Sequence, residues 1–261
     1  MRKKIEKSIS DETKMNARRS EIIQIVNQRY RITVSELSEH TGVSEVTIRQ
    51  DLNYLEQLGY VKRIHGAAVA IDNDDIAQQM EVRFGTKQKL AQRAAALVES
   101  GETVMIEGGS ANALLARELA EREDVTLITS SAYIAHLLRS TNSNIILLGG
   151  VYQHQGESLV GPLTRYCIEK VHFSTAFIGI DGFHQDTGFT SRDMMRADVV
   201  DAILAKQRRN IVLTDASKFG LIFPSTLGGS IGAFDMLVTS QDAPVDDIEF
   251  LKKQPIELIT A

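Results

Sequence analysis

Seven short apolar runs between residue 103 and the C-terminus constrain this chain more than any other feature. They are "TVMIE" (103–107), "VTLIT" (125–129), "NIILLGG" (144–150), "TAFIGI" (175–180), "NIVLTD" (210–215), "MLVTS" (236–240) and "IELIT" (256–260). Each is continuously apolar rather than alternating, as expected of a strand buried on both faces. Segments of helical character lie between most of them, such as "KLAQRAAALVES" (89–100) and "ALLARELAE" (113–121). Strands alternating with helices predict a mainly parallel, Rossmann-like α/β sheet covered on both sides.

The residues that follow each run carry the chemistry. Gly108-Gly109-Ser110 follows the first, Ser130-Ser131 the second and Gly149-Gly150 the third. Asp181-Gly182 follows the fourth, and Ala216-Ser217-Lys218 follows Asp215 at the end of the fifth. Ligands of an open parallel sheet bind outside the carboxyl ends of its strands. Backbone N–H groups at a glycine-rich strand-to-helix turn hold anions well. Any one of these loops reads equally as a plain turn or a helix cap. Five of them at one edge predict a site for a phosphorylated small molecule. No Walker loop or GxGxxG fingerprint is present, so a nucleotide is not expected.

The first quarter of the chain reads differently. "ARRSEIIQIVNQ" (17–28) puts Ile22, Ile25 and Val26 on one helical face. "TVSELSEHTG" opens with Thr33 and Glu36 at capping-box spacing and closes on Gly42. "VSEVTIRQDLNYLEQLG" follows, with Ser44 as N-cap and an apolar stripe of Ile48, Leu52 and Leu55. The opposite face carries Val46, Thr47, Arg49, Gln50 and Asn53. Arg suits guanine, and Gln or Asn suits adenine, in a major groove. The two segments predict a helix-turn-helix at about 31–50 whose second helix reads DNA. "GYVKRIHGAAVA" adds a β-wing with Lys62, Arg63 and His65 near phosphates or a minor groove. A winged module serving protein contacts is the alternative. Asp51 lies toward the core side and is read as a structural partner.

Charge follows the same division. The net charge is −5, yet residues 1–69 hold 12 Lys/Arg against 9 Asp/Glu, and the remainder 17 against 25. The single cysteine, Cys167, excludes an intrachain disulfide and is read as a buried small hydrophobe. The charged N-terminus lacks a signal-peptide core, and no apolar run is long enough to span a membrane, so a cytoplasmic protein is expected. The six histidines are scattered without metal-ligand spacing, and neither a metal nor a cofactor is expected. Met194 and Met195 read as core.

The stretch Ser44 to Leu52, "SEVTIRQDL", with Arg18, Ile22 and Val26 upstream, resembles the DeoR-family DNA-binding signature. Gln50 stands where a basic or small residue is usual, which bears on the operator sequence. The order of elements beyond it resembles the effector domain of the same family, so the likeness covers about residues 14–261. It implies a winged helix-turn-helix at 14–69 after an extension at 1–13, a linker at 70–85, and an effector and oligomerisation domain at 86–261 with the ribose-5-phosphate-isomerase fold. It further implies phosphate contacts at Gly108, Gly109, Ser110, Ser130 and Ser131, and effector roles for Lys87, Asp181, Asp215 and Lys218. Arg196 stands where a glutamate is common, and a cation at that rim implies a more anionic effector. The implied partners are double-stranded operator DNA, a phosphorylated sugar and further copies of the chain, as a homodimer or homotetramer.

Isomerases of that fold carry a glycine-rich stretch with Lys and Glu where this chain has residues 183–213, which lack it. Asp193, Asp198 and Asp201 read as acids on a solvent-facing helix, so no catalytic residue is assigned. The expectation is a DNA-binding transcriptional regulator, a repressor of carbohydrate-metabolism genes. The rival is a sugar-phosphate isomerase with a DNA-binding head, which would turn over pentose or hexose phosphates.

Overall fold

The structure, a computed structural model, describes residues 18–261 except 20, 24, 27, 28, 30, 58, 59 and 71–75. The chain divides into two compact units, Met1–Asn73 and Asp74–Ala261.

In the first unit the described residues among 18–29 are helical. Then come β1 (Arg31–Thr33), α1 (Val34–Thr41), α2 (Glu45–Gln57), β2 (Val61–Ile64) and β3 (Ala67–Ala70), with the strands ordered β1-β3-β2. The capping box at α1 is formed: the Thr33 hydroxyl accepts from Glu36 N, and the Glu36 carboxylate accepts from Thr33 N at 2.8 Å. Gly42, at φ 69°, closes the helix in the left-handed conformation. Ser44 Oγ accepts from Thr47 N at 3.3 Å, as expected of a cap at the start of α2. Ile22, Val26, Leu37, Ile48 and Leu52 are all fully buried and form the core of this small unit. His65 and Gly66 join β2 to β3 with φ of 43° and 75°, the two positive values that a type I′ hairpin turn requires. The helix-turn-helix expected at about 31–50 is thus α1 and α2, extended to Gln57.

The second unit begins with α3 (Ile76–Glu81) and α4 (Phe84–Ala95), followed by β4 (Thr103–Ile106), α5 (Ser110–Ala120), β5 (Thr126–Thr129), α6 (Ala132–Leu137) and β6 (Asn144–Leu147). A hairpin of β7 (Val151–Gln153) and β8 (Ser158–Val160) leads to α7 (Pro162–Lys170) and β9 (Thr175–Ile178). Next are β10 (Gly182–His184), β11 (Gly188–Ser191), α8 (Met194–Leu204), β12 (Arg209–Leu213), β13 (Ser225–Thr226), β14 (Met236–Thr239), α9 (Val245–Leu251) and β15 (Glu257–Thr260). The central sheet runs β15-β14-β12-β9-β4-β5-β6 with every pair parallel, and its strands are the seven apolar runs of the sequence.

Side chains alternate between two cores. Met105, Ile128, Ile178, Val212 and Leu237 pack with Val199, Val200 and Ile203 of α8. Val104, Leu127, Phe177, Ile211 and Val238 pack on the other face with Leu90 and Leu115. That two-sided burial explains why the runs show no polar alternation. β5 and β6 extend the sheet to one side of β4, while β9, β12, β14 and β15 extend it to the other. The loops leaving β4 and β9 therefore diverge, which opens a crevice at their carboxyl ends.

Three expectations need correction. Ile76 and Met80 of α3 are buried in the second of these cores, so part of the segment read as linker belongs to the α/β unit. Cys167 is half-buried against the first core rather than enclosed by it. Met194 and Met195 are not core: they lie 74% and 43% exposed on the first turn of α8. No helix among the described residues is long and apolar enough to cross a membrane.

Candidate functional site

On the first unit, α2 buries Ile48, Leu52 and Leu55 and turns Val46, Arg49, Gln50 and Asn53 outward, with Thr47 half-buried. Asp51 points inward, 2% exposed, and receives Arg18 Nε at 2.6 Å and Arg19 Nε at 2.9 Å. The Arg19 guanidinium also stacks 3.8 Å from the Tyr54 ring centre. Two cations from the helical segment at 18–29 thus orient α2 through one carboxylate. Arg49 meets Glu45 at 2.7 Å, an exposed pair of neighbouring turns that a stronger partner exchanges at little cost. Asn53 Oδ1 accepts from Arg63 Nη1, and Glu56 Oε1 accepts from Arg63 N at 2.7 Å, so the helix and the wing are tied together. Gln50, Lys62 and His65 remain exposed. A projecting helix with short polar groups, beside a basic hairpin, has the chemistry of a major-groove reader.

On the second unit the crevice lies between the ends of β4 and β9. Glu107, 2% exposed, follows β4, and Arg196 reaches it from the first turn of α8. Nε meets Oε1 at 2.6 Å and Nη2 meets Oε2 at 2.9 Å, a bidentate pair. Arg196 Nη1 donates to Asp181 Oδ2 at 3.1 Å and Nη2 to Gly179 O at 3.2 Å. The carboxylates of Glu107 and Asp181 raise the pKa of Arg196 further, against its burial. Asp193 caps α8 by accepting from Arg196 N at 2.8 Å, which fixes the turn. Gly179 is required here, because a Cβ would lie 2.8 Å from Gly108 O and 3.0 Å from Arg196 Nη2.

Asp181 Oδ2 also accepts from Ser191 Oγ and Arg192 N, both at 3.0 Å. Burial works against its charge, and Arg196 and Lys218 outweigh it, so the carboxyl stays below its ordinary range. Asp215, 2% exposed, caps the short 3-10 turn Ala216–Lys218 through Ser217 N at 2.8 Å. It faces Lys87 Nζ at 3.8 Å and Arg83 Nε at 3.6 Å. Lys87 is 6% exposed and donates to Gln79 O at 2.5 Å; burial, opposed by Asp215, pushes its ammonium down to about 8. Burial also lowers the Lys218 ammonium, which feels both Asp181 and Asp215. Among the described residues that ammonium makes no hydrogen bond or ion pair.

The structure brings Gly108, Asp181 and Arg196 together around Gly179, and links Lys218 electrostatically to both Asp181 and Asp215. Gly109 caps α5 at φ 92°, and Ser110 begins that helix. Other expected contacts are engaged elsewhere. Ser131 Oγ caps α6 through Ile134 N, and Ser130 Oγ donates to Glu107 O, so both buried hydroxyls help hold the loop that follows β5. Gly149 O accepts from Thr164 Oγ1 at 2.8 Å. A Cβ at Gly150 would lie 2.0 Å from Thr164 Oγ1, so that glycine has a packing reason. Arg196 is not an unshared cation at a rim, because two carboxylates neutralise it. The inference of a more anionic effector fails for that reason.

Of the three helix acids, Asp193 is a cap, Asp198 pairs with Arg165 at 2.6 Å, and Asp201 accepts from Gly228 N at 3.1 Å. The described residues contain no cluster of His, Cys, Asp and Glu able to hold a metal ion. Sequence reasoning missed Glu107 and Arg83. An acid closing an apolar strand beside two glycines was the available signal for Glu107. Arg83, inside the supposed linker, offered none.

Comparison with known proteins agrees with this division. A family model described as DeoR-like helix-turn-helix domain matches residues 18–74, and one described as DeoR C terminal sensor domain matches 83–241. A putative aga operon transcriptional repressor of Escherichia coli O157:H7 is 28% identical over 95% of this chain and 94% of its own. The HTH-type transcriptional regulator GolR of Listeria innocua is 31% identical over 85% of this chain and 89% of its own. A glycerol-3-phosphate regulon repressor of Haemophilus influenzae is 28% identical over 94% and 97%. Among solved structures, a ribose 5-phosphate isomerase A from Methanocaldococcus jannaschii matches 52% of this chain and 55% of that one, at 22% identity and a TM-score of 0.40.

Proposed function

The chain belongs to the DeoR family of DNA-binding transcriptional regulators, and from that premise we propose that it represses genes of carbohydrate metabolism under the control of a phosphorylated sugar. The named relatives support the metabolic assignment: one is a repressor of an aga operon, another of a glycerol-3-phosphate regulon. Thr47, Arg49, Gln50 and Asn53 read bases from α2, with Ser44 and Val46 at its start, while Lys62, Arg63 and His65 hold the backbone. The protein works in the cytoplasm as a homodimer or homotetramer, so that two heads engage two half-sites.

One observation carries the effector assignment. The Lys218 ammonium sits at the strand ends with no direct partner among the described residues, in electrostatic reach of Asp181 and Asp215. A phosphate supplies the missing anion, with the backbone N–H groups at Gly109 and Ser110 as further donors at the head of α5. Asp181 uses Oδ2 for all three of its side-chain bonds, which leaves Oδ1 to accept from a sugar hydroxyl. Lys87 and Asp215 shape the second side of the site. To act as a switch, the effector binds two arrangements of the heads with different affinity.

The test is fluorescence anisotropy on the protein's own promoter region, titrated with salt, with and without sugar monophosphates, bisphosphates and inorganic phosphate. One sugar phosphate should weaken specific binding and be recovered unchanged. Lys218→Met should abolish that response while leaving DNA affinity without effector intact. Specific binding indifferent to every compound would sink the effector class, and turnover of any of them would revive the isomerase.

A further inference from the structure

We infer that Glu56, an acid in the last turn of the DNA-reading helix, is a positioning residue for DNA binding: it anchors the wing so that the Arg63 guanidinium meets a phosphate. This role rests on the reading of Arg63 as a backbone contact and adds the group that places it. Glu56 lies one turn beyond Asn53 on the same side of α2, and both are exposed. Both reach Arg63 of β2, Glu56 at its main chain and Asn53 at its side chain.

The main-chain bond falls on an open edge. β2 is an outer strand of the sheet β1-β3-β2, so one of its sides has no strand beside it. The Arg63 N–H donates to Glu56 Oε1 at 2.7 Å and therefore faces that side rather than β3. A hydrogen bond to a carboxylate is about twice as strong as one between neutral groups. It fixes β2 against the end of α2 at the residue whose side chain is to be placed.

The side-chain bond leaves the charge of Arg63 open. Among the described residues its guanidinium bonds only to the neutral Asn53 Oδ1 and pairs with no carboxylate. Arg49 differs, because Glu45 takes its guanidinium at 2.7 Å. Glu56 comes as near to Arg63 but takes the backbone N–H, so the cation is held without being neutralised. A guanidinium fixed at its backbone and at its tip loses little further side-chain entropy when a phosphate oxygen arrives. An acid beside a DNA surface ordinarily repels phosphates, and its removal tightens binding. Anchoring of Arg63 gives Glu56 the opposite sign.

The experiment is anisotropy titration of the full chain on its own promoter region at several salt concentrations, without effector, so that the effector assignment does not enter. Glu56→Ala should weaken binding about tenfold and lower the salt slope by about one, the share of one phosphate contact. Glu56→Gln keeps the acceptor oxygen and loses the charge, and should bind at least as tightly as the wild type with its slope unaltered. Arg63→Ala should show the same loss as Glu56→Ala, and combining the two should add nothing. If Glu56→Ala disturbs the circular dichroism spectrum, Glu56→Asp takes its place: the same charge on a shorter arm should lose the same slope. Binding by the alanine variant as tight as or tighter than the wild type, a glutamine variant as weak as the alanine one, or an aspartate variant with the wild-type slope would each overturn the inference. An Arg63→Ala protein with unaltered affinity and slope would instead remove Arg63 itself from the phosphate contacts, and the role of Glu56 with it.

Discussion

Arg196 and Glu107 face each other across the crevice as a bidentate pair, at 2.6 and 2.9 Å, although 89 residues separate them in the chain. Glu107 is 2% exposed, and that guanidinium is its bidentate hydrogen-bonding partner in the interior. Removing one member of a buried pair is far more damaging than removing both.

Arg196→Met should accordingly lower the stability of the α/β unit by about 3–5 kcal/mol, by stranding Glu107 and weakening the support of Asp181. The double variant Glu107→Gln/Arg196→Met should cost markedly less. Urea unfolding of both proteins checks this, and equal losses would show that the pair is not coupled.

Lys87 gives a pH signature. Burial sets its folded pKa at about 8, below the ordinary 10.5. Between those values the unfolded chain binds more protons than the folded one, so this group makes stability rise as pH rises through the window. Below pH 8 the penalty of keeping the buried ammonium charged is fully present. Lys87→Met should remove a contribution of about 3 kcal/mol to the pH-dependence between 8 and 10.5. Unfolding midpoints of both proteins at several pH values in that range test it; parallel curves would refute it.

The DNA-reading residues separate into two kinds. Gln50→Ala should cost about 1–3 kcal/mol on the specific operator and little on unrelated DNA. Lys62→Ala should weaken both alike and reduce the salt slope by about one. Anisotropy titrations on specific and scrambled duplexes distinguish the two, and a Lys62 variant with an unaltered salt slope would remove it from the phosphate contacts.

Asp51 holds Arg18 and Arg19 against α2. Asp51→Ala leaves both guanidinium groups without it and should destabilise the small unit by about 3 kcal/mol or more. Hydrogen exchange of peptides from 31–57 should quicken while the α/β unit keeps its protection. Unchanged exchange in the head would show that the two arginines do not orient the helix.

The sequence by itself determined the two-part organisation, the seven strands and the outward face of α2. These rest on local periodicity: a strand buried on both faces must be apolar throughout, and a helix with one buried stripe exposes its other side. Asp51 was legible for the same reason, since its place on the helix turned it inward. Tertiary structure alone decided the strand order, and with it the crevice between β4 and β9. It decided that Arg196 is neutralised by Glu107 and Asp181 rather than left open. It also decided that Ser130 and Ser131 turn inward, and that Met194 and Met195 face outward. A residue's type and spacing fix which face of its own element it occupies. What meets that face depends on how distant segments pack, and no local pattern carries that information.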